Sequence, residues 1–472
     1  MSTHTKNHGV VDEYAAFLEH RPDYLKTTHI DTIRDREFAR LKKTGSVYLD
    51  YTGSGLYGES QIRDHMALLQ DHVFGNPHSL NPTSFAMTEL VENTRSAILR
   101  FFNASPDEYT AIFTLNASAG LKLIGESFPF TPESHYLLTF DNHNSVNGIR
   151  EYARKHDAPV TYAPITVPEM RIDDEKLHSY LTDFNSDVPK LFAYPAQSNF
   201  SGIHHSLEWI KTARKSGWYV ILDAAAYVPT NKLDLSKWHP DFVPVSFYKM
   251  FGYPTGVGCL LARRDALAIL RRPWFSGGTI TVASVQGDTF YMADGEAGFE
   301  DGTLNFLSIP AVDIGLRFLE SVGMEPLHTR IACLTGWLLE TVLSLHHNNG
   351  QPLVRLYGSD INSMRGGAVT MNFYTKDGEL IDHRIIEQKA NEKNISLRTG
   401  CFCNPGGGEV ALGLSKSELV SCFNKSFSRL TIDDFRQCID EKGTGAVRIS
   451  TGLASDFEDL SKFVAFAKTF LR

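Results

Sequence analysis

Cysteine is scarce in this chain. Six cysteines in 472 residues (Cys259, Cys333, Cys401, Cys403, Cys422 and Cys438) do not make a disulfide framework, and a reducing, cytoplasmic setting is the expectation. Only Cys401 and Cys403 lie close together. A C-x-C without a second pair is a poor zinc signal, so no metal site is expected. Long apolar runs are also missing. None is long enough to span a bilayer, and the polar opening MSTHTKNHGVVDEY has no secretory apolar core. Basic tails and stripes are lacking as well. The formal net charge is −9, which argues against nucleic acid as a partner. No internal repeat or low-complexity segment is visible.

What is present is ordinary for a globular protein, with 42% hydrophobic and 21% charged residues. The length exceeds one ordinary core. We expect a helical extension over 1–45, a large domain over 46–325 and a smaller C-terminal domain over 326–472.

Short apolar runs alternate with helical patterns through the large domain. Strands are expected at 47–50, 110–115, 136–140, 191–194, 219–222 and 242–248. This alternation predicts an α/β fold with a mostly parallel, doubly wound sheet. In such sheets ligands bind beyond the carboxyl ends of the strands. Polar or small residues collect there: Asn116, Ala117 and Ser118, then His143, then Gln197 and Asn199, then Asp223, then Ser246 and Lys249. The small-residue turn 116–120, before a helix expected to begin at Leu121, suits a phosphate. An aspartate and a lysine at adjacent strand ends suit pyridoxal phosphate. The lysine holds the aldehyde as a Schiff base, and the aspartate keeps the pyridine nitrogen protonated. Each feature alone has a plainer reading, as a surface pair or an ordinary βα turn. The convergence favours a cofactor site.

Gly/Thr loops follow at 274–281 and 299–305. The smaller domain reads as α+β, with strands at 353–357, 368–373 and 446–450. Before the last strand comes Arg398-Thr399-Gly400-Cys401-Phe402-Cys403-Asn404-Pro405-Gly406-Gly407-Gly408. Arg398 can grip a carboxylate with two parallel hydrogen bonds, or pair with a structural one. Cys403, on a Gly/Pro-rich loop, is a candidate nucleophile or an inert thiol.

Several separated motifs, GNPHS (75–79), AYPAQSNFSG (193–202), LDAAAYV (222–228), VSFYKMFGYPTGVG (245–258), FEDGT (299–303), RTGCFCNPG (398–406) and AVRIS (446–450), resemble the class V aminotransferase group of fold-type I pyridoxal-phosphate enzymes. Within that group the chain is most similar to the N-terminal, cysteine-desulfurase-like domain of molybdenum cofactor sulfurases. The resemblance implies a cysteine desulfurase that moves sulfur from L-cysteine to Cys403 as a persulfide and leaves alanine. It makes Lys249 the Schiff-base lysine and Asp223 the partner of the pyridine nitrogen. His143 stacks on the ring and Asn199 reaches its phenolic oxygen. Ala117, Ser118 and Ser246 hold the phosphate, Thr303 reaches a phosphate across a homodimer, and Arg398 binds the substrate carboxylate.

Gly407 and Gly408 depart from the usual CNxGAC continuation, which removes a third cysteine. The C-terminal domain of those sulfurases, which binds the molybdenum cofactor, has no counterpart in these residues. A sulfur-acceptor protein is therefore expected as a separate partner, if sulfur is passed on at all. The alternative is a C–S lyase or another class V enzyme acting on a small amino acid.

Overall fold

The computed structural model describes residues 5–77, 79–184, 187–360, 362–424, 434 and 444–472. His78 of the GNPHS motif and Cys438 lie outside the described residues. Among the described residues, seven strands build the main sheet: β1 (Tyr109–Thr114), β2 (His135–Thr139), β3 (Val160–Ala163), β4 (Lys190–Pro195), β5 (Trp218–Asp223), β6 (Phe242–Ser246) and β7 (Gly258–Arg263). Their order across the sheet is β1-β7-β6-β5-β4-β2-β3.

Strands β2 to β6 are mutually parallel, and β7 is antiparallel to both its neighbours, β1 and β6. The apolar run that follows Lys249 is thus a buried strand antiparallel to both its neighbours, an exception within the mostly parallel sheet the sequence predicts. An apolar run buried on both faces carries no mark of its direction. Because β1 and β6 both oppose β7, the carboxyl ends of β1 to β6 share one edge. Edge strand β3 has no counterpart in the sequence reading. It is four residues long and only half-buried for most of its length.

Alternation along the strands sends side chains into two layers. Leu137, Phe192, Val220, Val243 and Leu261 pack with Val91 and Ile98 of the helix Pro82–Phe101 and with Leu316 of Pro310–Val322. Tyr136, Leu138, Leu191, Ile221 and Leu260 face the other way, onto Leu121 and Ile124 of the helix Ala117–Ser127. Each fully buried Leu or Phe contributes about 1.5–3 kcal/mol relative to exposure.

The smaller lobe has an antiparallel sheet of β8 (Val354–Tyr357), β9 (Ala368–Tyr374), β10 (Arg398–Gly400) and β11 (Ala446–Ser450), in the order β8-β9-β11-β10. Helices Met324–Leu343, His383–Asn391 and Phe457–Lys468 cover it. The N-terminal extension serves both lobes: Ile30, Ile33, Phe38 and Leu41 belong to the core of the main sheet, whereas Phe17 and Tyr24 are part of the core of this smaller lobe. Val47 and Leu49 point into the same core, and the strand Val47–Tyr48 pairs with Ile395–Ser396 rather than with the large sheet. The next inward step, Asp50, bridges to Ser450 and arrives between the lobes.

The expected loop 274–281 runs at its end into a hairpin that the sequence reading did not include, Ile280–Ser284 against Thr289–Met292. The glycine run after Cys403 forms the helix Pro405–Ala411, with Asn404 as its cap.

Candidate active site

A cavity of about 120 Å³ opens at the shared strand edge. Ala117, Ser118, His143, Asn199, Asp223, Ser246 and Lys249 all line it. The sequence placed these seven at strand ends, and six of them arrive as expected. Lys249 arrives differently. Strand β6 stops at Ser246, and the lysine sits on a short helical turn, Phe247–Phe251. Gly252 ends that turn with φ +79°, and a Cβ there would lie 2.3 Å from the Tyr57 amide nitrogen. Only glycine fits both the left-handed backbone and the space.

The phosphate-seat geometry is present. Asn116 caps the helix Ala117–Ser127, its side-chain oxygen accepting from the Ala119 amide at 3.0 Å. The Ala117 amide donates to Ser246 Oγ at 2.9 Å, which ties the helix start to the end of β6. The hydroxyls of Ser118 and Ser145 lie 2.6 Å apart on the same rim. Backbone N–H groups, the helix dipole and three hydroxyls favour an anion here.

Opposite, burial pushes the Lys249 ammonium below the ordinary lysine range; the charge of Asp223 opposes this and that of Arg448 reinforces it. Burial likewise lowers His143, against the pull of Asp223 and with the push of Lys249 and Arg448, so its ring is neutral at pH 7. Its Nδ1 accepts from the Ser145 amide at 3.1 Å. Asp223 is buried and accepts from the Ala225 amide at 3.0 Å. Anion seat, buried carboxylate, neutral imidazole and a lysine with lowered pKa together fit pyridoxal phosphate.

Cys403 does not line this cavity, yet its loop is fastened to the wall. The Asn199 side chain donates to the Phe402 carbonyl at 2.7 Å and accepts from the Asn404 side chain at 3.0 Å. The Cys403 carbonyl accepts from the Asn144 amide, next to His143, at 2.7 Å. Phe402 and Cys403 both have φ +55°, a left-handed conformation that costs roughly 1–3 kcal/mol per non-glycine residue. Strained residues of this kind persist only where contacts over-determine them, and here the thiol they present is exposed. A thiolate on Cys403 is close enough to act electrostatically on Lys249, Tyr248, Arg398 and Arg448. Cys401 is also a free, exposed thiol, and burial of its sulfur raises its pKa. Cys422, by contrast, is disulfide-bonded.

Arg398 is exposed, and its Nε donates to Asp50 at 3.0 Å. The other carboxylate oxygen of Asp50 accepts from Arg448 at 3.3 Å. Arg448 is buried and lies 4.5 Å from the centre of the Phe402 ring; burial lowers it to about 10. Two guanidinium groups against one carboxylate leave one net positive charge.

Asp50, Arg448 and Asn404 were missed in the sequence as functional residues. Arg448 sat in plain view within AVRIS. Asp50 ends an apolar strand as Asp223 does, but nothing local tells which lobe that strand joins. Thr303 is exposed and lines a different cavity with Lys122, Gly256 and Asn305, so one chain does not bring it to Lys249. A wider groove of about 840 Å³ near Arg36, Arg63 and Arg317 contains none of the sequence-predicted residues.

The two-lobed fold, with a lysine just beyond the sixth strand of a mixed sheet, is the fold of cysteine desulfurases. The chain superposes on the apo cysteine desulfurase of Thermococcus onnurineus NA1 with a TM-score of 0.76 at 20% identity, covering 93% of this chain and 98% of that one. For the cysteine desulfurase CsdA of Escherichia coli the TM-score is 0.73 at 18% identity, covering 94% and 99%. The chain belongs to the class-V aminotransferase family, whose model matches residues 47–463. It is 38% identical to the molybdenum cofactor sulfurase of Arabidopsis thaliana over 96% of this chain and 60% of that protein. It is also 38% identical to that of Homo sapiens, over 92% of this chain and 50% of that protein. The chain thus spans half to three-fifths of the length of these curated relatives.

Proposed function

We propose that this chain is a pyridoxal-phosphate-dependent cysteine desulfurase of the sulfurase type, taking the sulfur of L-cysteine onto Cys403. The observation that carries the reading is the exposed Cys403 thiol on a strained loop fastened to the wall of the Lys249 cavity. Both sets of relatives support it: solved cysteine desulfurases by fold, and molybdenum cofactor sulfurases by sequence.

Pyridoxal phosphate, when bound, supplies an electron sink for charge developing at the substrate Cα. Ala117, Ser118 and Ser246 would hold its phosphate, Asp223 would keep its ring nitrogen protonated, and His143 and Asn199 would complete the set that holds the ring. Lys249 would hold the aldehyde, and burial, by lowering its pKa, favours the neutral amine that would take the proton from the substrate Cα. Arg398 meets the substrate carboxylate, with the single net positive charge left beside Asp50 to balance it. The Cys403 thiolate attacks the substrate sulfur. The substrate C–S bond breaks, a Cys403 persulfide forms, and the remaining carbon skeleton, reprotonated, leaves as alanine.

The protein acts as a homodimer in which Thr303 serves the partner's phosphate. It works in the cytoplasm, where a separate sulfur-acceptor protein collects the persulfide sulfur. No helix among the described residues is long and apolar enough to cross a membrane.

Mass spectrometry after incubation with L-cysteine tests the reading. One added sulfur on the Cys403 peptide, with alanine formed, is the expected result, and both disappear in Cys403→Ala. Alanine absent from the cofactor-loaded protein would overturn it. Turnover of L-cysteine that survives Cys403→Ala would instead identify a C–S lyase.

A further inference from the structure

We infer that Asn404 is a positioning residue: it clamps the Cys403 loop to Asn199, so that a side chain of the cofactor cavity also carries the sulfur-accepting loop. Its functional consequence rests on the reading of Cys403 as sulfur acceptor. The clamp itself is read from hydrogen bonds.

Neighbours with fixed roles set the orientation of both amides. The Gly407 amide can only donate, so the Asn404 oxygen faces it, at 2.9 Å. Asn404 Nδ2 then faces two acceptors, the Asp141 carbonyl at 2.7 Å and Asn199 Oδ1 at 3.0 Å. That leaves Asn199 Nδ2 for the Phe402 carbonyl at 2.7 Å. An amide nitrogen has two N–H bonds, so Asn199 retains a second donor for a ligand in the cavity it lines.

Asn404 is fully buried, so water does not replace a lost partner there. Its three side-chain hydrogen bonds do two separable jobs. The oxygen caps the helix Pro405–Ala411, which is structural. The nitrogen binds the large lobe, which positions the thiol one residue away. Between the Phe402 and Asn404 anchors stands Cys403, its own carbonyl held by the Asn144 amide and its φ at +55°. The loop is therefore set from both sides by residues of the cavity wall.

Asn404→Asp separates the two jobs. It keeps an oxygen for the Gly407 amide and removes both donations. Asn404→Ser also keeps an oxygen for the Gly407 amide, adds no charge, and leaves at most one donor on a shorter side chain in place of the two N–H bonds. The cofactor-free full chain is treated with iodoacetamide, and modification of the Cys403 peptide is followed by mass spectrometry beside the melting temperature. Both variants are expected to modify Cys403 at least roughly two- to tenfold faster than wild type, the range that each lost hydrogen bond corresponds to. With pyridoxal phosphate loaded, kcat on L-cysteine should fall while KM holds, and cofactor absorbance should be unchanged. Equal rates of Cys403 modification in wild type and both variants overturn the clamp, whatever happens to melting. If the aspartate variant does not fold, the serine variant decides. A wild-type chain that takes up no cofactor overturns the proposed function, and the alkylation comparison still decides the clamp.

Discussion

The wall of the cavity and the loop that carries Cys403 are built by opposite means. Parallel strands buried on both faces deliver the wall, and Ala193, Leu222 and Val245 next to it are inaccessible to solvent. Position follows from the sheet, and each side chain emerges at a strand end. The loop hangs from a three-residue strand, turns through two left-handed residues and passes into a helix whose first turn is proline and glycine. Phe402, Val410 and Ala411 pack on a small apolar cluster that includes Phe200 and Tyr357, and hydrogen bonds to Asn199, Asn144 and Asp141 fasten the loop to the wall. On the proposed function, the wall carries chemistry that many reactions share, and the loop selects among them.

The largest break in this comparison comes from the wall. Lys249→Met should lower turnover of L-cysteine by about 10²–10⁴-fold or more, the usual scale for a group that moves a proton. It should also remove the cofactor's lysine-linked absorbance. Stability should move the other way. The folded pKa of Lys249 lies below its unfolded value of 10.5, so charge at this site is a penalty to the native state. That penalty is fully present below the folded pKa and disappears above 10.5. Cofactor-free Lys249→Met should therefore melt at or above the wild-type temperature at pH 7, with the excess shrinking toward pH 10.5. A variant that melts well below wild type at pH 7 would show that Lys249 supports the fold.

The same contrast explains what was legible in the sequence. Asp223, His143, Asn199 and Ser246 announce themselves because a buried strand has a readable end. Lys249 was found for the same reason, although it stands on a helical turn beyond β6. The direction of β7 was not legible, since an apolar run reads alike both ways. Nor was the pairing of Val47–Tyr48, which depends on residues some 350 positions away. The resemblance to class V enzymes drew attention to Cys403. Its anchorage did not follow, because Asn404, Asn199 and Asp141 are adjacent only in the folded chain. The glycines after Cys403 suggested a loose loop, whereas space dictates them. A Cβ on Gly406 would stand 1.9 Å from the Phe140 carbonyl oxygen, and one on Gly407 3.1 Å from Phe200.

Gly406 is thus where the two regions touch, and Gly406→Ala should sharpen the comparison at intermediate size. The methyl group meets rigid backbone at the end of β2, so the helix Pro405–Ala411 must shift. Overpacking of this kind costs about 1–3 kcal/mol. Desulfuration should fall by roughly tenfold, since each 1.36 kcal/mol of barrier is a factor of ten. Cofactor absorbance and the Lys249 environment should stay as in wild type. Cofactor loss in parallel with activity would mean that wall and loop do not separate as described.

The smallest effect probes the wall alone. His204 Nε2 donates to Gln197 Oε1 at 2.9 Å, behind a residue that lines the cavity. Burial, aided by the charges of His328, His205 and Arg365, lowers its pKa from 6.5 to about 3. The unfolded chain therefore binds a proton that the native chain refuses. Stability is lost progressively as pH falls from 6.5 toward 3, by up to about 2 kcal/mol at pH 5. His204→Gln keeps a hydrogen-bonding amide beside Gln197 and removes the titration. Melting at pH 7 should change little, while the drop between pH 7 and pH 5 should be smaller by about 2 °C. Modification of Cys403 should be indifferent to this substitution at either pH, because the loop's anchors do not include His204. An identical acid drop in both proteins would show that His204 is protonated in the native wall.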